Sequence, residues 1–213
     1  MLSLIHQGFY LVFALLMVAL VISLTFHEFG HALVAKWYGD PTAERAGRLT
    51  LNPLAHIDAL GLLMVVILGF GYAKPVPTDP RNFRSRTAEL WVSAAGPLMN
   101  LLVAAVSWNF YLLMLDLGWL SFANADTAMF FSVLVKVNLL LMVFNLIPIG
   151  PLDGHYILPY FLPPAMARRY RQLNAQFGTY AILGLIILSI AGVPIFTYVF
   201  KIAEAMLPWI TLV

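Results

Sequence analysis

Long runs without a charged side chain are the feature that most constrains this chain. Residues 1–26, 90–115 and 172–200 contain no Asp, Glu, Lys or Arg, and neither do the shorter runs 59–73 and 137–152. A charge at the centre of a bilayer is costly, and about 20 apolar residues cross it as a helix. Only 10% of the residues are charged, whereas a typical soluble domain has about 25%. A soluble globular domain, a disordered chain and a coiled coil are therefore excluded.

The spacing of these runs predicts an all-α polytopic membrane protein with about four to six transmembrane helices. We expect four spans near residues 8–36, 91–115, 127–148 and 177–206. The run 59–73 has three glycines and is short for a full crossing, which favours a re-entrant or membrane-dipping segment. No repeat, linker or low-complexity tract interrupts the chain. Residues 1–213 are therefore expected to form a single membrane-embedded domain.

The distribution of Lys and Arg predicts the orientation of the chain. Six of the twelve basic residues lie between the first two predicted spans, and a seventh, Lys36, ends the first span. Three more precede the fourth span, and the connection 116–126 has none. Cytoplasmic connections of membrane proteins are enriched in Lys and Arg. If the run 59–73 does not cross, the N-terminus lies outside the cytoplasm. The chain has no cysteine, which excludes disulfides and thiolate metal ligands, and no nucleic-acid-binding motif, so nucleic acid is not an expected partner.

The sequence HEFGH at residues 27–31 carries the strongest chemical signal. Two histidines four residues apart share one face of a helix, so His27 and His31 can reach the same metal ion. Glu28 stands beside them, where a carboxylate can take a proton from water at the metal. The motif ends an apolar run, where ionisable residues are expensive and usually functional. The alternative is a helix end with two hydrogen-bonded histidines and a carboxylate that reaches the membrane surface.

A catalytic zinc ion usually has a third protein ligand, and the motif supplies only two. The candidates are the remaining histidines and two aspartates: His6, His56, Asp58, Asp153 and His155. Asp153 stands out because it follows an apolar run broken by Pro148, Gly150 and Pro151. Broken helices at membrane depth are tolerated where they line a polar cavity. Taken alone, Asp153 fits a turn equally well.

Together these motifs resemble the site-2 protease family of intramembrane zinc metalloproteases. HEFGH lies in an apolar run, and the distant sequence NLIPIGPLDG at 145–154 matches the family pattern N-x-x-P-x-x-x-x-D-G. LNPLAHID at 51–58, KPVP at 74–77 and AGPLMN at 95–100 resemble further family segments in the expected order. The resemblance is to compact prokaryotic members, and the chain has no room for the PDZ or CBS domain that other members carry.

The resemblance implies a function and a role for particular residues. His27, His31 and Asp153 would bind one Zn²⁺ ion, and Glu28 would be the general base. Asn100 and Asn145 match positions that line the active site in the family. The expected substrate is a membrane protein cleaved in or near its transmembrane segment, within a prokaryotic inner membrane. His56 and His155 are weaker candidates that would orient the metal-binding residues.

Three other functions remain open from the residues themselves. The first is a catalytically inactive membrane scaffold with a structural metal, for which Glu28 would be unnecessary. The second is a metal transporter, although no paired repeat is visible. The third is a membrane protease of the prenyl-protein endopeptidase type, which needs a later glutamate as its third ligand. The candidates for that role are Glu89 and Glu204.

Overall fold

The computed structural model describes all 213 residues and consists of helices joined by turns, with no strand. The α-helices are α1 (Leu2–His6), α2 (Tyr10–Trp37), α3 (Thr42–Arg45), α4 (Ala59–Leu68), α5 (Ala88–Asp116), α6 (Ala125–Asn145), α7 (Gly154–Ile157), α8 (Pro164–Ile190), α9 (Ile195–Ala205) and α10 (Leu207–Ile210). Short 3-10 turns cover Pro53–Ala55, Pro80–Asn82, Leu120–Phe122 and Leu158–Phe161. Four helices, α2, α5, α6 and α8, are long and apolar enough to cross a membrane. The prediction of an all-α polytopic membrane protein is confirmed.

The first three predicted spans agree with α2, α5 and α6 to within a few residues, but the fourth, 177–206, is wrong. Helix α8 begins with Pro164 in its first turn, includes the basic residues near 170 and ends at Ile190. Gly192 then adopts a φ of +98°, which L side chains rarely adopt, and Pro194 precedes α9. The prediction excluded the basic residues because they are charged. A helix that extends beyond the bilayer keeps them in water.

The two ends of the segment 59–73 lie next to each other. Helix α4 has 10 residues, which gives a length of about 15 Å, half the thickness of a bilayer core. The Asp58 carboxylate accepts a hydrogen bond from the Gly61 N–H at 2.8 Å and caps the helix start. The Lys74 N–H donates to the His56 carbonyl at 2.8 Å, so the two ends of the segment are adjacent. This is the geometry expected of a re-entrant segment.

Helices α2, α5 and α6 form the centre of the bundle. Small residues permit close approach: a Cβ added to Gly30 on α2 would lie 2.9 Å from the Ala95 carbonyl on α5. Beyond the polar centre, a core cluster joins α5 and α6 to the C-terminal helices, and its members are Ala104, Val135, Leu139, Ala203 and Ile210. Helix α8 lies at the periphery, where most of its apolar side chains are exposed and available to lipid.

Asp40 fastens the connection after α2. Its fully buried carboxylate accepts hydrogen bonds from the Thr42 hydroxyl at 2.5 Å, the Asp79 N–H at 2.7 Å and the Asn82 amide at 3.0 Å. Burial alone would raise the pKa of Asp40, but these donors outweigh it and lower the pKa. The segment 79–82 is thereby held against the end of α2, on the side of the bundle where His27 and His31 lie.

Candidate metal centre and its surroundings

The last turns of α2 bring the two histidines of HEFGH together. His27 and His31 are buried, and their Nε2 atoms lie 3.1 Å apart. The 17 residues from Tyr10 to His27 rise about 26 Å along a helix that is long and apolar enough to cross a membrane. Two imidazoles on one helical face are available to a single ion.

Asp153 contacts these histidines from a turn that lies more than 120 residues later in the sequence. Its carboxylate oxygens lie 3.2 Å from His27 Nε2 and 3.4 Å from His31 Nε2. Helix α6 ends at Asn145, and the prolines and glycine that follow unwind the chain into a turn that presents Asp153.

Two hydrogen bonds from helix α8 hold this turn in place. The Asn174 side-chain oxygen accepts a hydrogen bond from the Gly150 N–H at 2.8 Å. The Tyr170 hydroxyl donates to the Pro148 carbonyl at 2.7 Å. The turn that carries Asp153 is therefore fastened at two points to α8, a helix with little other packing against the bundle.

Hydrogen bonds on the far ring nitrogens set the orientation of both imidazoles. His27 Nδ1 lies 2.7 Å from the Asn100 side-chain oxygen, and His31 Nδ1 lies 2.7 Å from the Val92 carbonyl. Both partners are oxygens that only accept, because the Asn100 amide nitrogen donates to the Ser23 carbonyl at 3.1 Å. Each Nδ1 is therefore the donor, which leaves each Nε2 facing Asp153.

This donor set fits a cation. Two imidazole nitrogens and a carboxylate converge at one point, and the buried Asp153 Oδ2 has no hydrogen-bond partner. Ligand atoms on a tetrahedral zinc ion, bonded at 2.0–2.1 Å, lie about 3.3 Å apart. Here the two Nε2 atoms lie 3.1 Å apart, His27 Nε2 lies 3.2 Å from Asp153 Oδ2, and His31 Nε2 lies 3.4 Å from Asp153 Oδ1. Nitrogen and oxygen ligands at this spacing suit zinc.

Gly96 on α5 lies against both rings. A Cβ added there would lie 2.6 Å from His27 Nε2 and closer still to His31 Nε2. Real Cβ atoms essentially never approach another heavy atom to less than 3.0 Å. Only glycine at this position leaves room for the two Nε2 atoms.

Glu28 is buried beside the histidines, with its side chain 10% exposed. Its Oε2 lies 3.9 Å from Nη2 of Arg48, a residue that is itself 4% exposed. Burial lowers the pKa of Arg48, and the Glu28 carboxylate acts in the opposite direction. Sequence reasoning counted Arg48 only as a cytoplasmic charge.

The other predicted site residues, Asn145, His155 and His56, make their hydrogen bonds away from His27 and His31. The Asn145 amide donates to the Leu141 carbonyl of its own helix at 3.0 Å. His155 Nδ1 contacts the Leu152 carbonyl at 2.9 Å, and its ring lies against Tyr156. His56 is fully buried and contacts Arg48 and Thr50. Among these three, the structure brings none into hydrogen-bond contact with His27 or His31.

One contact that sequence reasoning missed extends the polar centre into α6. The Asn100 amide also donates to the Asn138 side-chain oxygen at 2.9 Å, and Asn138 donates to the Leu134 carbonyl at 2.9 Å. Both asparagines are completely buried. The available signal was a lone amide within an apolar run, where a polar side chain needs a partner.

Comparisons with known proteins agree with this arrangement. The model of peptidase family M50 matches residues 15–117 and 114–190. A Bacillus subtilis protein named "Putative zinc metalloprotease YwhC" is 40% identical over 163 residues, 75% of this chain and 74% of that protein. "Putative zinc metalloprotease Rip2" of Mycolicibacterium smegmatis is 34% identical over 165 residues, 74% of this chain and 61% of that protein. No solved structure matches the chain.

The fold and these relatives define a multi-pass integral membrane protein with zinc-dependent peptidase activity. More particularly, the chain belongs to peptidase family M50, the site-2 proteases. Its cofactor is Zn²⁺, and the cluster of His27, His31 and Asp153 is a group that could hold it.

Proposed function

We propose that this chain is an intramembrane zinc endopeptidase in which His27, His31 and Asp153 bind the metal and Glu28 is the general base. The observation that carries the proposal is the convergence of these three ligand atoms, from α2 and from the distant turn after α6, to within 4.8 Å. The buried Glu28 carboxylate beside them argues against a purely structural metal, which needs no base.

A zinc ion held by these residues supplies Lewis acidity, which activates water for attack and polarises the scissile carbonyl. The Glu28 carboxylate takes a proton from the attacking water and later gives it to the leaving amine nitrogen. Asn100 and Val92 keep both Nε2 atoms directed at the site. Asn145 lies at the end of α6, eight residues before Asp153, where its amide would hydrogen-bond the substrate backbone or the developing oxyanion.

The substrate class follows from the depth of the site. A peptide bond must reach His27 about 26 Å along α2 from Tyr10, within the thickness of a bilayer core. An intact transmembrane helix hides its carbonyls in i to i−4 hydrogen bonds. The expected substrates are membrane proteins whose transmembrane segments unwind locally at Gly, Pro or Asn.

Cleavage of defined peptides tests this proposal. The purified zinc-loaded protein is reconstituted with a labelled single-pass peptide that has a central Gly-Pro pair, and with a matched all-Leu peptide. We expect cleavage of the Gly-Pro peptide alone and its loss in Glu28→Gln. If Glu28→Gln cleaves as fast as the parent, the assigned base is wrong. If neither peptide is cut but soluble casein is, the substrate class is wrong.

Metal content tests the ligand set without a substrate. We expect about one zinc per chain in the parent and clear loss in both His27→Ala and Asp153→Ala. His155→Ala is the control, since its ring contacts Leu152 and Tyr156 instead of the cluster. Zinc retained at full affinity in Asp153→Ala would remove the third ligand.

We also propose that the protein lies in a prokaryotic cell membrane with its N-terminus outside, and that residues 1–213 work as one membrane-embedded domain. Support comes from the basic connections and from the shared packing of α2, α5 and α6. Because the chain has no cysteine, single cysteines report the side directly. In intact cells, an impermeant thiol reagent is expected to label Ser121→Cys but not Ala46→Cys, and the reverse pattern would invert the topology.

A further inference from the structure

Arg48 is a buried cation that the peptidase reaction as described above does not use. Its residue is 4% exposed, although it lies in a connection and not within a spanning helix. Its guanidinium donates to the Pro75 carbonyl at 2.8 Å through Nη1 and to the Lys74 carbonyl through Nη2. A buried charge of this kind is costly, so its surroundings indicate what it does.

His56 completes the surroundings of the guanidinium. His56 Nε2 lies 2.7 Å from the Thr50 carbonyl, which only accepts, so Nε2 is the donor. Its Nδ1 is then an acceptor, and it faces Arg48 Nη2 at 3.4 Å. The His56 carbonyl also accepts the Lys74 N–H at 2.8 Å. The ring and backbone of His56 thus hold both the arginine and the segment that the arginine binds.

The turn before Arg48 directs its side chain towards α2. Gly47 ends α3 with a φ of +68°, and the Arg48 N–H closes the turn on the Ala43 carbonyl at 2.9 Å. The side chain then extends towards the last turns of α2, where Nη2 lies 3.9 Å from Glu28 Oε2. This is the only ion pair that Glu28 makes within 4.0 Å.

From this arrangement we propose that Arg48 is a positioning residue, which holds the Glu28 carboxylate in its working orientation and fastens it to the segment 74–75. The proposal rests on the proposed role of Glu28 as the base. Carbonyls and His56 fix the guanidinium in place, so its charge is preorganised at a site where little water screens it. Glu28 has several side-chain rotamers, and a fixed cation on one side favours the rotamers that face it.

Arginine suits this position better than lysine. Its planar fork donates in two directions at once, to the two successive carbonyls of Lys74 and Pro75, while one edge faces Glu28. A lysine ammonium keeps the charge but is shorter and cannot satisfy the same set of acceptors. Arg48→Lys therefore separates the need for a charge from the need for a fixed orientation.

The experiment compares Arg48→Gln and Arg48→Lys with the parent in the reconstituted peptide assay. Arg45→Gln is the matched control, because Arg45 lies three residues away on the same connection but is exposed. We expect kcat to fall about 10- to 100-fold in Arg48→Gln and less in Arg48→Lys, the range seen when a group that orients a catalytic residue is lost. KM, zinc content and the control should stay within about twofold of the parent.

The outcomes separate this inference from the proposed function. If the parent cleaves the peptide and Glu28→Gln does not, but zinc-loaded Arg48→Gln keeps the parental kcat, Arg48 has no positioning role. A kcat loss that follows zinc loss in both Arg48 variants would make the residue structural and would also overturn the inference. If Glu28→Gln is as active as the parent, the proposed function itself fails, whatever Arg48 does.

Discussion

Replacing Gly96 with Ala tests the geometry of the metal centre with a single methyl group. The new Cβ would lie 2.6 Å from His27 Nε2, so the ring would have to retreat about 0.8 Å to reach an ordinary 3.4 Å contact. Neither the imidazole rings nor helix α5 can move easily. Asn100 and Val92 hold the rings by their Nδ1 atoms, and α5 lies close against α2 at Gly30.

A displacement of about 0.8 Å exceeds the tolerance of about 0.2 Å on zinc–ligand distances. We therefore expect Gly96→Ala to lower zinc affinity by at least about 100-fold, which corresponds to about 2.7 kcal/mol. The fold itself should persist, because alanine is favoured over glycine within a helix by up to about 1 kcal/mol.

The assay is chelator competition on the purified protein, with zinc content measured by mass spectrometry. Gly184→Ala is the control: it lies in helix α8, and a Cβ there meets nothing within 4 Å. Parental zinc affinity in Gly96→Ala would refute the reasoning, because it would mean that the histidines move freely or that the metal is bound elsewhere.

Three further predictions follow from individual contacts. Asn100→Leu removes the acceptor on His27 Nδ1 and should lower zinc affinity about 10- to 100-fold by chelator competition; unchanged affinity would show that this hydrogen bond is dispensable. Asn174→Ala loses one hydrogen bond to Gly150, worth about 1 kcal/mol, and should weaken zinc binding about fivefold, whereas a total loss would show a larger role for α8. Asp40 has a lowered folded-state pKa, so its contribution to stability is full above the unfolded value near 4 and disappears as the pH falls through the folded value. Thermal unfolding should therefore show Asp40→Asn to be less stable by about 2–4 kcal/mol at pH 7 and less sensitive to acid than the parent; equal stability at pH 7 would contradict this.

Much of the fold could be predicted because the bilayer imposes a simple rule. Uncharged runs of sufficient length must be helical, and the bounds of α2, α5 and α6 follow to within a few residues. The rule failed at α8, because a helix need not end where the hydrocarbon ends. Its first turns are basic, and the backbone at Gly192 and Pro194 follows the end of the apolar part.

The candidate metal centre could likewise be predicted only in part from the sequence. His27 and His31 could be paired from sequence because residues i and i+4 share a helical face, which is a local property. Asp153 could be proposed as a candidate from the broken apolar run that precedes it, and the resemblance to a known family then joined it to the histidines. Nothing in the local sequence of Arg48 indicates that its side chain turns back to Glu28.

The sequence by itself determined a membrane helix bundle, the paired histidines and the adjacent carboxylate, because these depend on hydrophobicity and helical periodicity. The tertiary structure alone decided which oxygen orients each imidazole, why Gly96 must lack a side chain and which cation faces Glu28. These contacts join residues far apart in the chain, such as His27 and Asn100, which are separated by 73 positions. Their geometry depends on how the helices pack, and no local pattern encodes that packing.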